Sequence, residues 1–275
     1  MKVKITFLVE NTVPTPGWQG EYGFSALVTV DNKSFLFDTG SIDALFANAT
    51  TAGLNWSDID GIIISHGHFD HTGGIIRALE LTENKKVYAH SNIFADRYVD
   101  MGGNYKPIGS VASQKEIEAN GGKLIFIDNF TEISPNIYLT GFIPRVNDFE
   151  NAGGNFKVKD GDKYIDDMIE DDMSLVIDHP DGLIVISGCA HAGIINTLDH
   201  IRKHMGNKKI LAFLGGTHLI SADENRINQT INALEKLDIG QLVLAHCTGF
   251  YAAAKLYNKF SDKVIKGETG MSFEY

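Results

Sequence analysis

The stretch Ser65-His66-Gly67-His68-Phe69-Asp70-His71-Thr72-Gly73-Gly74 decides the reading of this chain. Three imidazoles and a carboxylate crowd together directly after the apolar run Ile62-Ile63-Ile64. A strand ending there delivers its side chains to one rim of a sheet. Without a cation to share, such groups would repel and desolvate one another. Imidazole nitrogen and carboxylate oxygen are the ligands zinc accepts, and to a lesser degree iron, manganese or nickel. The stretch reads as a metal site rather than a solvated turn, because His-rich tracts seldom follow a buried strand so directly.

Upstream of this cluster, Lys2 to Val9 reads as a strand, and Phe24 to Val30 and Phe35 to Phe37 as a hairpin joined at Asp31-Asn32-Lys33. Ser41 is the expected N-cap of a helix reaching about Ala52. Downstream, Ile75, Ile76 and Leu79 have helical spacing. The second half repeats the grammar. Short strands at 124–127, 137–139, 175–177 and 183–186 lead to Gly188-Cys189-Ala190-His191, then a helix carrying Ile194, Leu198 and Ile201. Strand 210–214 ends at Gly215-Gly216-Thr217-His218. Ser221 and Glu224 form an expected capping box for a helix with Ile227, Ile231 and Leu234. Strand 242–245 ends at His246-Cys247-Thr248-Gly249. Three apolar strands besides the first thus end in a histidine, and ligands in α/β folds sit at the carboxyl ends of strands. The repeat of strands then helix in both halves suggests an α/β fold of two sheets packed face to face with helices outside.

Composition bounds the function. The chain has 275 residues, 43% hydrophobic and 21% charged, an ordinary globular balance that suits one large α/β unit or two small domains. Lys+Arg 24 against Asp+Glu 35 gives a net charge of −11, which argues against nucleic acid or an anionic membrane as partner. No apolar run approaches the ~20 residues needed to cross a bilayer, and the first residues read as a strand rather than a signal peptide. Two cysteines exclude a disulfide framework and favour a cytoplasmic setting. Segments 94–115 and 145–172, the latter flexible and then strongly acidic, read as loops and candidate lids. Tyr98, Tyr105 and Phe156 within them suit stacking on a flat heterocycle, or the ordinary packing of a loop. The sequence sets no oligomeric state.

The pattern His-x-His-x-Asp-His at 66–71, following Asp38-Thr39-Gly40, resembles the metallo-β-lactamase superfamily over essentially the whole chain, which implies a single domain 1–275 with an α/β fold, an αβ/βα sandwich of two mixed β-sheets with helices on the outer faces. Thr140-Gly141-Phe142-Ile143-Pro144-Arg145, Gly188-Cys189-Ala190-His191, Gly215-Gly216-Thr217-His218-Leu219 and Ala245-His246-Cys247-Thr248-Gly249 are similar to a narrower group within it. That group includes archaeal dihydropterin synthases and many bacterial relatives. The resemblance implies that His66 and His68 serve a first metal, Asp70 and His71 a second, and that His246 is the final ligand. His191 stands where a bridging aspartate is usual, and Phe142 and Arg145 lie where a third first-site histidine is usual. The set Asp70, His71, His191 and His246 is then complete and the set His66 and His68 short, so one divalent metal is held tightly, zinc by default.

The remaining candidates follow from residue chemistry. Asp70 is suited to orient a metal-bound water or take its proton. His218 is read as ligand, substrate donor or proton shuttle. Arg145 has the planar fork that grips phosphate. Asp38 orients a ligand histidine or caps the following helix. Cys189 and Cys247 read as small buried packing residues, His90 as structural, and His179, His200 and His204 as surface residues. The function so implied is a metal-dependent hydrolase of a small anionic substrate, phosphorylated or ester. Its alternatives are a transferase joining a pterin pyrophosphate to an aminobenzene ribose phosphate, and a metal-containing binding protein with little turnover.

Overall fold

In the computed structural model, which describes residues 1–275, the strand leading to the histidine cluster forms as expected and lies inside a sheet. In chain order the elements to the cluster and beyond are β1 (Val3–Val9), β2 (Ser25–Val30), β3 (Lys33–Phe37), α1 (Ala44–Thr51), β4 (Gly61–Ile63), α2 (Phe69–Thr72), α3 (Ile75–Leu81) and β5 (Lys86–Ala89). Then come β6 (Arg97–Asp100), β7 (Tyr105–Pro107), α4 (Gln114–Ala119), β8 (Lys123–Phe126), β9 (Thr131–Ser134), β10 (Ile137–Leu139), β11 (Phe156–Asp160) and β12 (Lys163–Asp166). The chain ends with β13 (Ser174–His179), β14 (Gly182–Ser187), α5 (Ile194–Met205), β15 (Ile210–Gly215), α6 (Glu224–Leu234), β16 (Ile239–Leu244), α7 (Phe250–Phe260), β17 (Val264–Lys266) and β18 (Ser272–Glu274). No helix is long and apolar enough to cross a membrane.

These elements form two compact units, one of Met1–Asp96, Pro107–Phe126 and Glu268–Tyr275, the other of Arg97–Lys106 and Ile127–Gly267. The first holds a seven-stranded mixed sheet in the order β18-β1-β2-β3-β4-β5-β8. Its β1–β2–β3 meander is antiparallel, and β3, β4, β5 and β8 run parallel. Leu36, Ile62, Ile64 and Val87 of the sheet region share one buried cluster with Leu45 of α1, Leu79 of α3 and Ile117 of α4. Each such aliphatic side chain contributes about 1.5–3 kcal/mol by leaving water. The helix expected to be capped by Ser41 begins at Ala44 instead. The Glu21 carboxylate accepts the N–H groups of Ser41, Ile42, Asp43 and Ala44, a cap supplied from a distant loop.

The turn after the histidine cluster is packed backbone to backbone. Gly73 N–H donates to the Gly40 carbonyl at 2.8 Å, and a Cβ on Gly73 would overlap the Ser41 carbonyl. Thr39 N–H and Oγ1 both donate to the His71 carbonyl, so the same contact fixes the end of the cluster. Gly73→Ala is therefore expected to cost about 1–3 kcal/mol of stability by overpacking. Thermal denaturation checks this, and an unchanged Tm would show that the turn yields without cost.

The second unit holds a sheet in the order β17-β16-β15-β14-β13-β10-β9, in which β14 to β17 run parallel and β13, β10 and β9 add antiparallel strands. Every residue of β14 is buried, the continuous apolar run expected of a strand covered on both faces. Leu198 of α5, Ile227 of α6 and Leu256 of α7 share its core. The capping box expected at Ser221 is replaced by Asp223, whose side chain accepts the Arg226 N–H, while Ser221 Oγ donates to the Gly153 carbonyl.

The segments read as loops carry strands. β12-β11-β6-β7 form a third sheet, and the acidic stretch supplies its counter-charges. Arg97 is fully buried, with Nε on Asp167 at 2.8 Å and both Nη atoms on Asp171 at 2.6 and 3.0 Å. A buried guanidinium is tolerated only when paired in this way. Tyr105 stacks on Tyr164 at 3.9 Å and Tyr98 meets the same ring edge-on, so these rings pack against protein.

Candidate metal centre

In the first unit the site is built on the end of β3 and the turn after β4. Asp38, directly after β3, takes a left-handed conformation with φ 58°. Its buried carboxylate accepts three hydrogen bonds of 2.7 Å, from Ser65 N–H, Ser65 Oγ–H and His71 Nδ1–H. Ser65 Oγ also lies 2.9 Å from His66 Nδ1, and His66 Nε2 lies 3.0 Å from His68 Nδ1. The His66 ring is 4.6 Å from that of His68 and 4.2 Å from that of His71, and an Asp70 oxygen is 3.8 Å from His71 Nε2. All four candidate ligands are buried. The first unit thus brings together the whole set His66, His68, Asp70 and His71.

In the second unit three neighbouring parallel strands end side by side, with Ser187, Gly215 and Leu244 in register. The residues just beyond them are Cys189 and His191 after β14, His218 after β15, and His246 and Cys247 after β16. Cys189 Sγ lies within 4.8 Å of a ring nitrogen of His191, of His246 and of His218, and of Cys247 Sγ. His191 Nδ1 lies 2.7 Å from the Ala152 carbonyl, and the His191 and His218 rings are 4.2 Å apart. Phe156 packs on both, at 5.4 and 5.6 Å. Ala190, His218 and His246 all have positive φ, of 51°, 44° and 51°. Such backbone costs of order 1–3 kcal/mol each and concentrates where a side chain must be aimed.

The electrostatics of this edge are set by burial. The Asp172 carboxyl is pushed up to about 6 by burial, although the Ala192 N–H and the Arg145 charge pull it down. Burial also raises Glu150, whose carboxylate receives the Ile195 and Asn196 N–H groups at the start of α5. Burial alone would raise the Cys247 thiol, but Cys189 and the His218 and His246 rings bring it well below the ordinary thiol range.

In each unit the buried donors are of a kind that fits a divalent ion. His71 and His191 each tie Nδ1 to an oxygen, of Asp38 and Ala152 respectively, which fixes the tautomer and presents Nε2 as donor atom. Ligating imidazoles are held in this way.

The family model of the metallo-beta-lactamase superfamily matches residues 18–246. The chain belongs to this superfamily. It is 33% identical over 288 aligned residues to 7,8-dihydropterin-6-methyl-4-(beta-D-ribofuranosyl)-aminobenzene-5'-phosphate synthase of Methanocaldococcus jannaschii, covering 99% of this chain and 97% of that one. It is 34% identical to an uncharacterised protein of the same organism, covering 92% and 93%. The solved structure of Tm1679, described as a metal-dependent hydrolase of the beta-lactamase superfamily, matches with TM-score 0.86 and 30% identity over 99% of both chains. Zinc-bound PqqB from Methylobacterium extorquens, at 15% identity and TM-score 0.60, shares the fold. The chain therefore has the metallo-β-lactamase fold, the α/β sandwich class expected of it, and this fold binds divalent metal.

Within this superfamily fold, the other residues singled out from sequence have definite places. His90 is buried, its Nδ1 accepting the Asn92 N–H at the start of a short turn. His179, expected at the surface, is buried at the β13–β14 hairpin, where Nδ1 accepts the Asp181 N–H. His200 is half-buried, and His204 is exposed with its ring stacked on Phe130 at 4.5 Å. Phe142 is exposed. Arg145 Nη2 donates to the carbonyls of Met168 and Ile169. The two thiols, read as packing residues, stand among ring nitrogens. Strand order in the parallel sheet would have found them, since each lies within two residues of a strand-end histidine. Glu21 and Glu150, which cap helices from afar, leave no local signal.

Proposed function

We propose that this chain is a metal-dependent hydrolase acting on a small anionic substrate, phosphorylated or ester, with His66, His68, Asp70, His71, His191 and His246 as the ligand set and one tightly held ion, zinc by default. The observation that carries the reading is the Nδ1 anchoring of His71 and His191 within buried donor clusters. When bound, a divalent ion in such a set lowers the pKa of its water to about 7 and offsets charge on an attacked or departing oxygen. Asp70 would orient a water held by such an ion and accept its proton. Asp38 holds His71 in one tautomer. His218, beside His191, returns a proton to the leaving group.

A cavity of about 650 Å³ in the second unit provides room for a substrate of this size class. It is lined by Asp148, Asn151, Gly153, Ser221, Asp223 and the buried Arg226. A Cβ on Gly153 would run into the His218 ring, so the cavity wall and His218 are in contact. The lining mixes carboxylates, amides and a guanidinium, which suits a polar heterocycle as well as a simple phosphate. This supports the second reading, a synthase like the M. jannaschii relative, joining a dihydropterin pyrophosphate to an aminobenzene ribose phosphate.

The deciding experiment strips the protein with chelator and reloads it with zinc, manganese, iron or nickel. Reloaded protein is then offered phosphoesters, carboxyl esters and, separately, the two pterin-pathway substrates, with products read by mass spectrometry. Metal-restored ester or phosphoester cleavage supports the hydrolase, and a condensed pterin product the synthase. Bound metal with no turnover on either panel leaves a binding protein. Arg145→Lys is expected to lower kcat/KM by about 1–3 kcal/mol on an anionic substrate with metal content unchanged, because lysine cannot make the forked contact. Wild-type kinetics in that variant would redirect the search to neutral esters.

A further inference from the structure

We propose that Cys189, His218 and Cys247 form a cation site within the second unit, a soft two-thiolate, one-imidazole set that takes zinc, cobalt or cadmium, in which His218 is a ligand rather than a proton donor whenever the site is filled. The ligand atoms of the three residues all lie within 4.8 Å of one another. Both cysteines are buried. The three residues lie in the turns two or three positions beyond the ends of β14, β15 and β16, adjacent parallel strands whose register sets those turns side by side. Tetrahedral zinc needs ligand atoms somewhat closer than this outer limit, with Zn–S about 2.3 Å and Zn–N about 2.0–2.1 Å, so closure takes side-chain rotation without strand movement.

Three further observations point at an ion. His218 Nδ1 is buried without a hydrogen-bond partner, an arrangement that costs of order 1–3 kcal/mol unless another group meets it. The His218 backbone is held in the left-handed region at φ 44°, which aims the ring toward the two thiols against its own preference. The His218 N–H donates to Cys247 Sγ at 3.3 Å, which holds the sulfur beside the His218 turn. Cys247 Sγ also lies 3.7 Å from the Cys189 carbonyl, so the turns carrying the two cysteines are in contact. Two cysteines and one histidine leave a fourth position open, as catalytic rather than structural zinc sites do.

The proposal does not rest on the His/Asp ligand set, and its test reads sulfur alone. Metal-free wild-type protein is titrated with cobalt and, separately, cadmium, following thiolate-to-metal charge-transfer absorption. A band saturating near one equivalent is expected, reduced about twofold or more in Cys247→Ser and absent in Cys189→Ser with Cys247→Ser. X-ray absorption of zinc-loaded wild-type protein, which needs no variant, is expected to show a sulfur shell at about 2.3 Å. Absence of the band in wild type, absence of sulfur scattering, or an undiminished band in folded Cys247→Ser would each overturn the site. His71→Ala separates the two readings: loss of metal there with the sulfur band retained leaves this site standing.

Discussion

Asp38→Asn is expected to lower metal affinity by about 10–100-fold and to destabilise the metal-free protein, although one atom is exchanged. The carboxylate accepts from Ser65 N–H, Ser65 Oγ–H and His71 Nδ1–H at once, and only an acceptor on both arms can do so. Asparagine turns one arm into a donor and sets it against Ser65 Oγ and His71 Nδ1, which share the same oxygen. One buried donor left unmet costs of order 1–3 kcal/mol, and His71 is released to change tautomer. The substitution isolates the side chain, because asparagine tolerates the φ of 58° at this position as aspartate does. Calorimetric zinc titration and thermal melts of the stripped protein check the two parts separately. Unchanged affinity in a folded Asp38→Asn protein would mean that His71 needs no orientation.

The four candidate ligands packed into residues 66–71 were legible because their spacing and the preceding Ile62-Ile63-Ile64 run are local. The convergence of Cys189, His191, His218 and His246 was legible only in part. The sequence shows each strand ending in a histidine, but not that β14, β15 and β16 are neighbours in register. Without that adjacency a cysteine beside a histidine reads as packing. The buried Arg97 shows the same blindness from the other side. Asp167 and Asp171 lie in an acidic run that looks solvated until a cation from β6 is set among them. Caps failed for the same reason: Ser41 and Ser221 have the right chemistry, but Glu21 and Asp223 have the right place. Short-range periodicity was enough for strands and helices, and tertiary pairing decided which polar residues each would use.

His191→Ala and His246→Ala are each expected to lose most of the bound metal, more than 100-fold in affinity, whereas His90→Ala retains it. The first two follow β14 and β16 at the same sheet edge, each within 4.8 Å of Cys189 Sγ, and neither lies in the contiguous motif. Removing one of four donors leaves three, too few to close a four-coordinate site without water. His191 carries a further consequence, because its Nδ1 bond to Ala152 also ties the strand end to the segment before β11. Its loss should therefore cost some stability as well as metal. His90 has the opposite character: its Nδ1 accepts a backbone N–H in a turn, a capping role worth about 1 kcal/mol that asks nothing of a cation. Elemental analysis after dialysis, with thermal melts of the same samples, separates the three cases. Retention of a full equivalent by both His191→Ala and His246→Ala would remove them from the ligand set and leave the contiguous His66–His71 motif as the only metal-binding element of the proposed six.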